Sequence, residues 1–299
     1  MGALAGRHAY EVIGVTVNGG RLPGDNAWQD VYVEQNGGGP GICSFAALGD
    51  SFTEGIDDPR PDGGGYRGWA DRFAERLAVY HPELRYANLA VRGKMVSEVA
   101  AEQLPRAIEM APDLVSIAAG GNDLLRPRTD PDTVAELFDD VVAQLRDAGC
   151  RVMLFTGFDP HTFPVIRLIR GRVAAYNMHL RAIADHRQCD LVDLWSMRVL
   201  RDPRSWSADR LHLTADGHRR VALRACEVMG VPTGEDWREP LPMAPSAAAA
   251  LPISVWLAAR RLDARWAREH AAPWVGRRLR RASSGDGVPP KRPELLRLS

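Results

Sequence analysis

From residue 42 the chain alternates short, wholly apolar runs with longer stretches whose apolar residues recur every three to four positions. The short runs predict strands at Ile42–Leu48, Arg85–Leu89, Asp113–Ala118, Arg151–Thr156 and Asp190–Leu194. They lack alternation, as strands covered on both faces must. The longer stretches predict helices at Gly68–Tyr80, Val96–Met110, Asp132–Ala148, Val165–His186 and Ala215–Met229. Strand and helix in strict alternation predict an α/β layered fold with right-handed crossovers around a parallel sheet. In such folds the working residues gather at the carboxyl ends of the strands.

The flanks read differently. Residues 1–41 carry VNGGRLPGDN and EQNGGGPG with weak periodicity, and are expected to form a poorly ordered extension. The regular pattern occupies residues 42–232. Beyond it, residues 233–299 are read as a Pro/Ala-rich linker (Glu239–Pro252), a basic helix (Ser254–Ala272) and a disordered tail containing RRASSGDGVPPKRPEL. Residues 250–299 hold 11 Lys/Arg against 4 Asp/Glu, although the whole chain of 299 residues balances 38 against 38. That balance gives no reason to expect a nucleic-acid partner. The C-terminal helix, with Trp256, Trp266 and Trp274 among arginines, is read as packed on the domain. A membrane-surface contact is the less favoured alternative, because the stripe of Val255, Ala259, Leu262 and Trp266 is thin for bilayer insertion.

Cys43, Cys150, Cys189 and Cys226 are far apart and read as isolated buried thiols, with neither a disulfide framework nor a metal-binding cluster. The N-terminal MGALAGRHAYEVIGV lacks the pattern of a secretory signal, and no apolar run approaches the roughly 18 residues of a membrane span. A cytoplasmic location is the default expectation. No cofactor is expected.

Four short blocks carry candidate chemistry. Leu48-Gly49-Asp50-Ser51-Phe52-Thr53-Glu54-Gly55 follows the first strand and puts a serine at a strand-to-helix turn, where backbone N–H groups can face a developing anion. A serine hydroxyl needs an adjacent base to act as a nucleophile; by itself, Asp50 or Ser51 could simply cap the next helix. Asn88-Leu89-Ala90-Val91-Arg92-Gly93 follows the second strand, and Gly93 could present a bare N–H. Gly120-Gly121-Asn122-Asp123 follows the third and offers the Asn122 amide, although G-N-D is also ordinary turn chemistry. Asp209-Arg210-Leu211-His212 precedes the last helix, with a carboxylate three residues from an imidazole, close enough to fix its tautomer.

As an ordered set, GDSFTEG, the glycine after the second strand, GGND and DRLH resemble the four blocks of the SGNH (GDSL-like) hydrolase superfamily over residues 42 to about 230. The resemblance implies a three-layer α/β/α sandwich around a five-stranded parallel sheet, of flavodoxin-like type. It implies Ser51 as nucleophile, His212 as base and Asp209 as its orienting acid. It also implies an oxyanion hole made by the backbone N–H groups of Ser51 and Gly93 and the Asn122 side chain. The expected activity is metal-independent hydrolysis of small-molecule carboxylic esters through an acyl-enzyme. An acyltransferase or acyl-CoA thioesterase would use the same triad, and a non-catalytic flavodoxin-like binding module is the alternative of another class.

The absence of G-x-S-x-G argues against an α/β-hydrolase elbow, and the absence of H-E-x-x-H and G-x-x-x-x-G-K-[ST] against a zincin or P-loop enzyme. Gly63-Gly64-Gly65-Tyr66-Arg67-Gly68 matches G-x-G-x-x-G but lies far from a strand end, and reads as a flexible loop near the site entrance. His218 is expected to face solvent or cap a helix, and His161 to sit exposed on a loop. Arg167, Arg170 and Arg172 are expected to form a solvated helix face.

Overall fold

The computed structural model describes residues 11–12, 15–16, 41–163, 166–241, 265, 268–269 and 283–298. Met1–Pro40 and Gly41–Ser299 form two compact units. In the first, Glu11–Val12 pairs antiparallel with Val15–Thr16. The rest of the N-terminal extension, and nearly all of the linker and basic helix expected after residue 238, lie outside the described residues.

The second unit is built on a six-stranded sheet. Strands β1 (Ser44–Gly49), β2 (Arg85–Asn88), β3 (Leu114–Ala118), β4 (Arg151–Phe155) and β5 (Asp190–Val192) run parallel, and β6 (Arg292–Arg297) runs antiparallel along β2. Their order is β5-β4-β3-β1-β2-β6. The helices are α1 (Ser51–Glu54), α2 (Gly68–Tyr80), α3 (Val96–Glu98), α4 (Leu104–Met110), α5 (Gly121–Leu124), α6 (Pro131–Asp147), α7 (Arg170–His186) and α8 (Ala215–Val228). One sheet face packs Ala46, Leu48, Val115 and Ile117 against Phe138, Val142 and Leu145 of α6 and Leu180 of α7. On the other, Phe45 stacks on Tyr86 at 5.2 Å and meets the edge of Phe73 of α2 at 5.3 Å. Burial on both faces is why the strand sequences are apolar without alternation.

Three expectations are corrected. The helix read as continuous over Val96–Met110 is interrupted by a π-helical turn at Val99–Gln103. Pro105 stands just inside α4, lacks an N–H and would crowd the carbonyl four residues earlier in a regular helix, and the wider turn relieves this. The tail expected to be disordered supplies the sixth strand. Lys291 anchors it, donating to the carbonyls of Tyr66 (3.1 Å) and Arg67 (2.8 Å) and pairing with the buried Asp71 carboxylate at 2.8 Å. Pro293 is tolerated because β6 is an edge strand. Of the four cysteines, all free, Cys150 and Cys226 are buried, but Cys43 is exposed because it precedes the covered part of β1.

Candidate active site

Ser51 opens α1 directly after β1, and Asp50 is the N-cap, its Oδ1 accepting the Phe52 N–H at 3.0 Å. The capping reading and the nucleophile reading therefore fall on adjacent residues. Gly49 could not be another residue: at φ 145° a Cβ would come 2.3 Å from the Ala118 carbonyl oxygen. Its backbone is held by Gln103, whose Oε1 accepts the Gly49 N–H at 2.8 Å and whose Nε2 donates to the Gly49 carbonyl at 2.9 Å. The π-helical turn ends at Gln103. A residue missed in the sequence thus fixes the peptide next to Asp50-Ser51.

The Asp209–His212 loop is a tight return. Trp206 bridges Leu213, the Ser207 N–H bonds the His212 carbonyl at 2.9 Å, and Arg210 turns the chain at φ 57°. Asp209 Oδ1 accepts the N–H groups of Leu211 (2.9 Å) and His212 (3.0 Å), and Oδ2 lies 2.5 Å from His212 Nδ1. That bond assigns the hydrogen to Nδ1 and leaves Nε2 as an acceptor. Burial alone would raise the Asp209 carboxyl, but the His212 ring and backbone donors outweigh it and hold it far below the usual carboxylate range. Burial alone would lower His212, but Asp209, Asp57 and Asp50 raise it above its ordinary value.

Ser51, Asn122 and His212 line one cleft of about 170 Å³ at the carboxyl end of the sheet. Asp209 stands behind His212. Asn122 Nδ2 donates to Asp50 Oδ2 at 3.0 Å and to the Lys94 carbonyl at 3.1 Å, which lays the Gly93–Lys94 segment beside it. Gly93 itself is not part of the cleft lining, and Ser283 packs against it. Asp50 is buried, and that burial pushes its carboxyl up to about 6. The remaining cleft wall is mostly apolar and includes Leu124, Phe155, Phe158, Ile169, Val173 and Leu200.

His218 is not at the surface. It is buried, its Nδ1 accepting the Trp69 N–H at 3.2 Å and its Nε2 donating to the Ile56 carbonyl at 3.1 Å. Burial lowers it to about 4, so it is neutral near pH 7. The reason is that α8 packs on α2, which turns the His218 face inward. His161, Arg167 and Arg170 are exposed, as expected, with Arg170 pairing to Asp159 at 2.6 Å; Arg172 is half-buried and donates to the Arg126 carbonyl at 3.0 Å. The glycine-rich loop is also more ordered than expected: Pro59 bridges Tyr66, and the backbones of Gly55 and Gly68 touch so closely that a Cβ on either would clash.

This excursion carries Asp57, which the sequence pattern did not single out. Asp57, Asp209 and His212 offer three ligand atoms within 4.8 Å of one another. The 2.5 Å contact between Asp209 and His212 is the hydrogen bond that carries the Nδ1 hydrogen.

Residues 47–220 match the GDSL-like lipase/acylhydrolase family. No curated protein matches the chain. Among solved structures, it is similar to LAE5, an alpha/beta hydrolase enzyme from the metagenome of Lake Arreo, Spain, at 24% identity and TM-score 0.54, covering 63% of this chain and 95% of that one. TesA aligns at 22% identity and TM-score 0.53 over 62% and 97% of the two chains. A catalytic mutant of an acetylxylan esterase from Geobacillus stearothermophilus aligns at 22% and 0.53 over 66% and 96%.

Proposed function

The chain belongs to the GDSL-like lipase/acylhydrolase family and is an ester-bond hydrolase, and we propose that it works through an acyl-enzyme on Ser51. The observation that carries this reading is that Ser51 and His212 line one cleft while Asp209 holds the far nitrogen of His212 at 2.5 Å.

Ser51 Oγ attacks the ester carbonyl carbon, and its proton passes to His212 Nε2. The imidazolium is stabilised by Asp209, whose carboxylate stays ionised. Charge develops on the former carbonyl oxygen, where the Ser51 N–H and the Asn122 amide act as donors; Gly93, outside the cleft lining, is not assigned that role. Both Asn122 hydrogens have partners at rest, so the oxyanion shares or replaces the Lys94 carbonyl as acceptor. The C–O bond to the leaving alcohol then breaks, and the alkoxide takes the proton from His212. Water, deprotonated by the same nitrogen, attacks the acyl carbon; the bond to Ser51 Oγ breaks, Oγ takes the proton back from His212, and the acid leaves.

The substrate's acyl part occupies the apolar wall of the cleft, which favours an alkanoyl ester over a polar acid. Similarity at 22% identity to an acetylxylan esterase carries the fold and not the substrate. The test is labelling by a fluorophosphonate together with turnover of nitrophenyl esters. Ser51→Ala should abolish both in a protein that remains folded. Undiminished turnover in that variant would refute the acyl-enzyme on Ser51.

A further inference from the structure

Beyond Asp209, a second carboxylate faces the Nδ1 side of His212. Asp57 Oδ2 lies 3.9 Å from His212 Nδ1, on the excursion closed by Gly55 and Gly68. The two carboxylates are linked by one hydroxyl. Ser207 Oγ is 2.6 Å from Asp57 Oδ2 and 2.7 Å from Asp209 Oδ1. A serine hydroxyl has one proton, so it can donate to only one of them at a time. When it turns to Asp209, it adds to the two backbone N–H groups already on that oxygen. Asp57 is then left with charge facing the imidazole.

Two further features set Asp57 apart from an ordinary surface carboxylate. It is a non-glycine residue in the left-handed region, at φ 70°, a conformation that costs free energy and recurs at functional sites. Its side chain is 37% exposed and belongs to no salt bridge with Lys or Arg among the described residues, so nothing cationic except His212 competes for it there. Asp209, by contrast, is saturated by His212, by two backbone donors and by Ser207.

We propose that Asp57 is a positioning residue for His212: it stabilises the imidazolium alongside Asp209 and takes the Nδ1 hydrogen when Asp209 cannot. This rests on the reading of His212 as the base for Ser51. Among the described residues, the charged and titratable groups that face His212 are Asp209 from its own loop, Asp57 from the excursion after α1, and Asp50 from the N-cap of α1. Asp50 lies on the Ser51 side and is held by Asn122 and the Phe52 N–H, so it cannot exchange with Asp209. Asp57 can, by a side-chain rotation that closes the remaining gap to Nδ1.

The first experiment follows the His212 ring by NMR titration in Ser51→Ala protein, with and without Asp57→Asn. The readout is independent of turnover, so it survives a failure of the acyl-enzyme reading. Loss of Asp57 should move the His212 midpoint down by roughly half a unit to one unit. An unmoved midpoint overturns the proposal.

The second experiment compares ester turnover in Asp57→Asn, Asp209→Asn and the double variant. Asp57→Asn alone should lower kcat a few-fold and shift the acid limb of kcat/KM downward with it. Asp209→Asn should keep at least about tenfold more activity than the double variant, because only there does Asp57 become the sole acid (a coupling of interacting sites). If the double variant equals Asp209→Asn, no reserve acid exists and the proposal is wrong. Full activity in His212→Ala would instead refute the underlying assignment of the base.

Discussion

Gln103 satisfies both backbone polar groups of Gly49, accepting from the N–H at 2.8 Å and donating to the carbonyl at 2.9 Å. Both residues are buried, so no water replaces the side chain when it is removed. The Gly49 carbonyl keeps a second donor, the Val91 N–H at 3.3 Å, so truncation orphans the Gly49 N–H, at a cost of about 1–3 kcal/mol. Gln103→Ala should therefore destabilise the protein by about 2 kcal/mol, read from denaturant unfolding. It should also lower kcat more than it raises KM, since the peptide it frees leads into Asp50-Ser51. Gln103→Glu keeps an acceptor for the Gly49 N–H but places a carboxylate in a buried position, and should be little better. An unchanged kcat in a destabilised Gln103→Ala protein would confine this residue to a structural role.

The acid limb of the pH profile follows from His212, which must be neutral at Nε2 to accept the Ser51 proton. Its carboxylate neighbours raise it above the ordinary 6.5, so kcat/KM should rise with pH and reach half its plateau above that value. Stability runs the opposite way. A histidine raised on folding contributes stability that is fully present below its unfolded value and is lost as pH rises through its folded value. The unfolding midpoint should thus fall across the same window in which activity rises, and Asp209→Asn should flatten that fall. Asp209, depressed on folding, acts at the other end: its contribution is present above its unfolded value near 3.8 and is lost as pH falls through its folded one. Activity that is flat from pH 5 to 9 would count against His212 as the base.

The parallel strands and most helices were legible because burial on one or both faces leaves a local signature in the sequence. The Ser51, Asn122, Asp209 and His212 blocks were legible because each sits at a strand end or beside a helix start, where local spacing sets the geometry. What the sequence did not disclose depends on contacts between distant segments. Gln103 looks like any polar helix residue until Pro105 widens the turn that ends on it. Asp57 meets Ser207 across 150 positions, and His218 meets Trp69 across 149. Strand β6 has the charge and proline content of a tail, and becomes a strand only because the edge of β2 and the Asp71 carboxylate are waiting for it.

Lys291 offers a direct test of that last point. Its ammonium is enclosed by Asp71 and two backbone carbonyls, and burial lowers its pKa below the ordinary lysine value. Lys291→Met should remove the anchor while keeping most of the side-chain bulk. Arg60 and Tyr86 still hold Asp71, so the loss should be smaller than for an isolated buried pair, about 2 kcal/mol in unfolding experiments. Amide exchange on β2 should quicken as its edge opens. Unchanged protection of the Tyr86 and Asn88 amides would mean that β6 is held by other contacts.

The cleft also sets the acyl chain. A dry cavity of about 150 Å³ lined by Leu, Ile and Phe holds a benzene ring, six carbons. The cleft here is about 170 Å³, and beyond Ser51, Asn122 and His212 it is walled mainly by the same residue types, which gives room for an acyl tail of about six to eight carbons. Each methylene taken from water into such a wall is worth about 0.8 kcal/mol, close to fourfold. Across nitrophenyl esters of increasing chain length, kcat/KM should climb by a few-fold per methylene from acetate, peak near hexanoate to octanoate, and then level or fall once the tail outgrows the wall. Narrowing the wall with Val173→Phe should move the peak to shorter chains and leave acetate turnover the least affected of the series. A profile that is highest for acetate and declines steadily would show that the apolar wall does not hold the acyl group. It would then have to be assigned to the leaving alcohol.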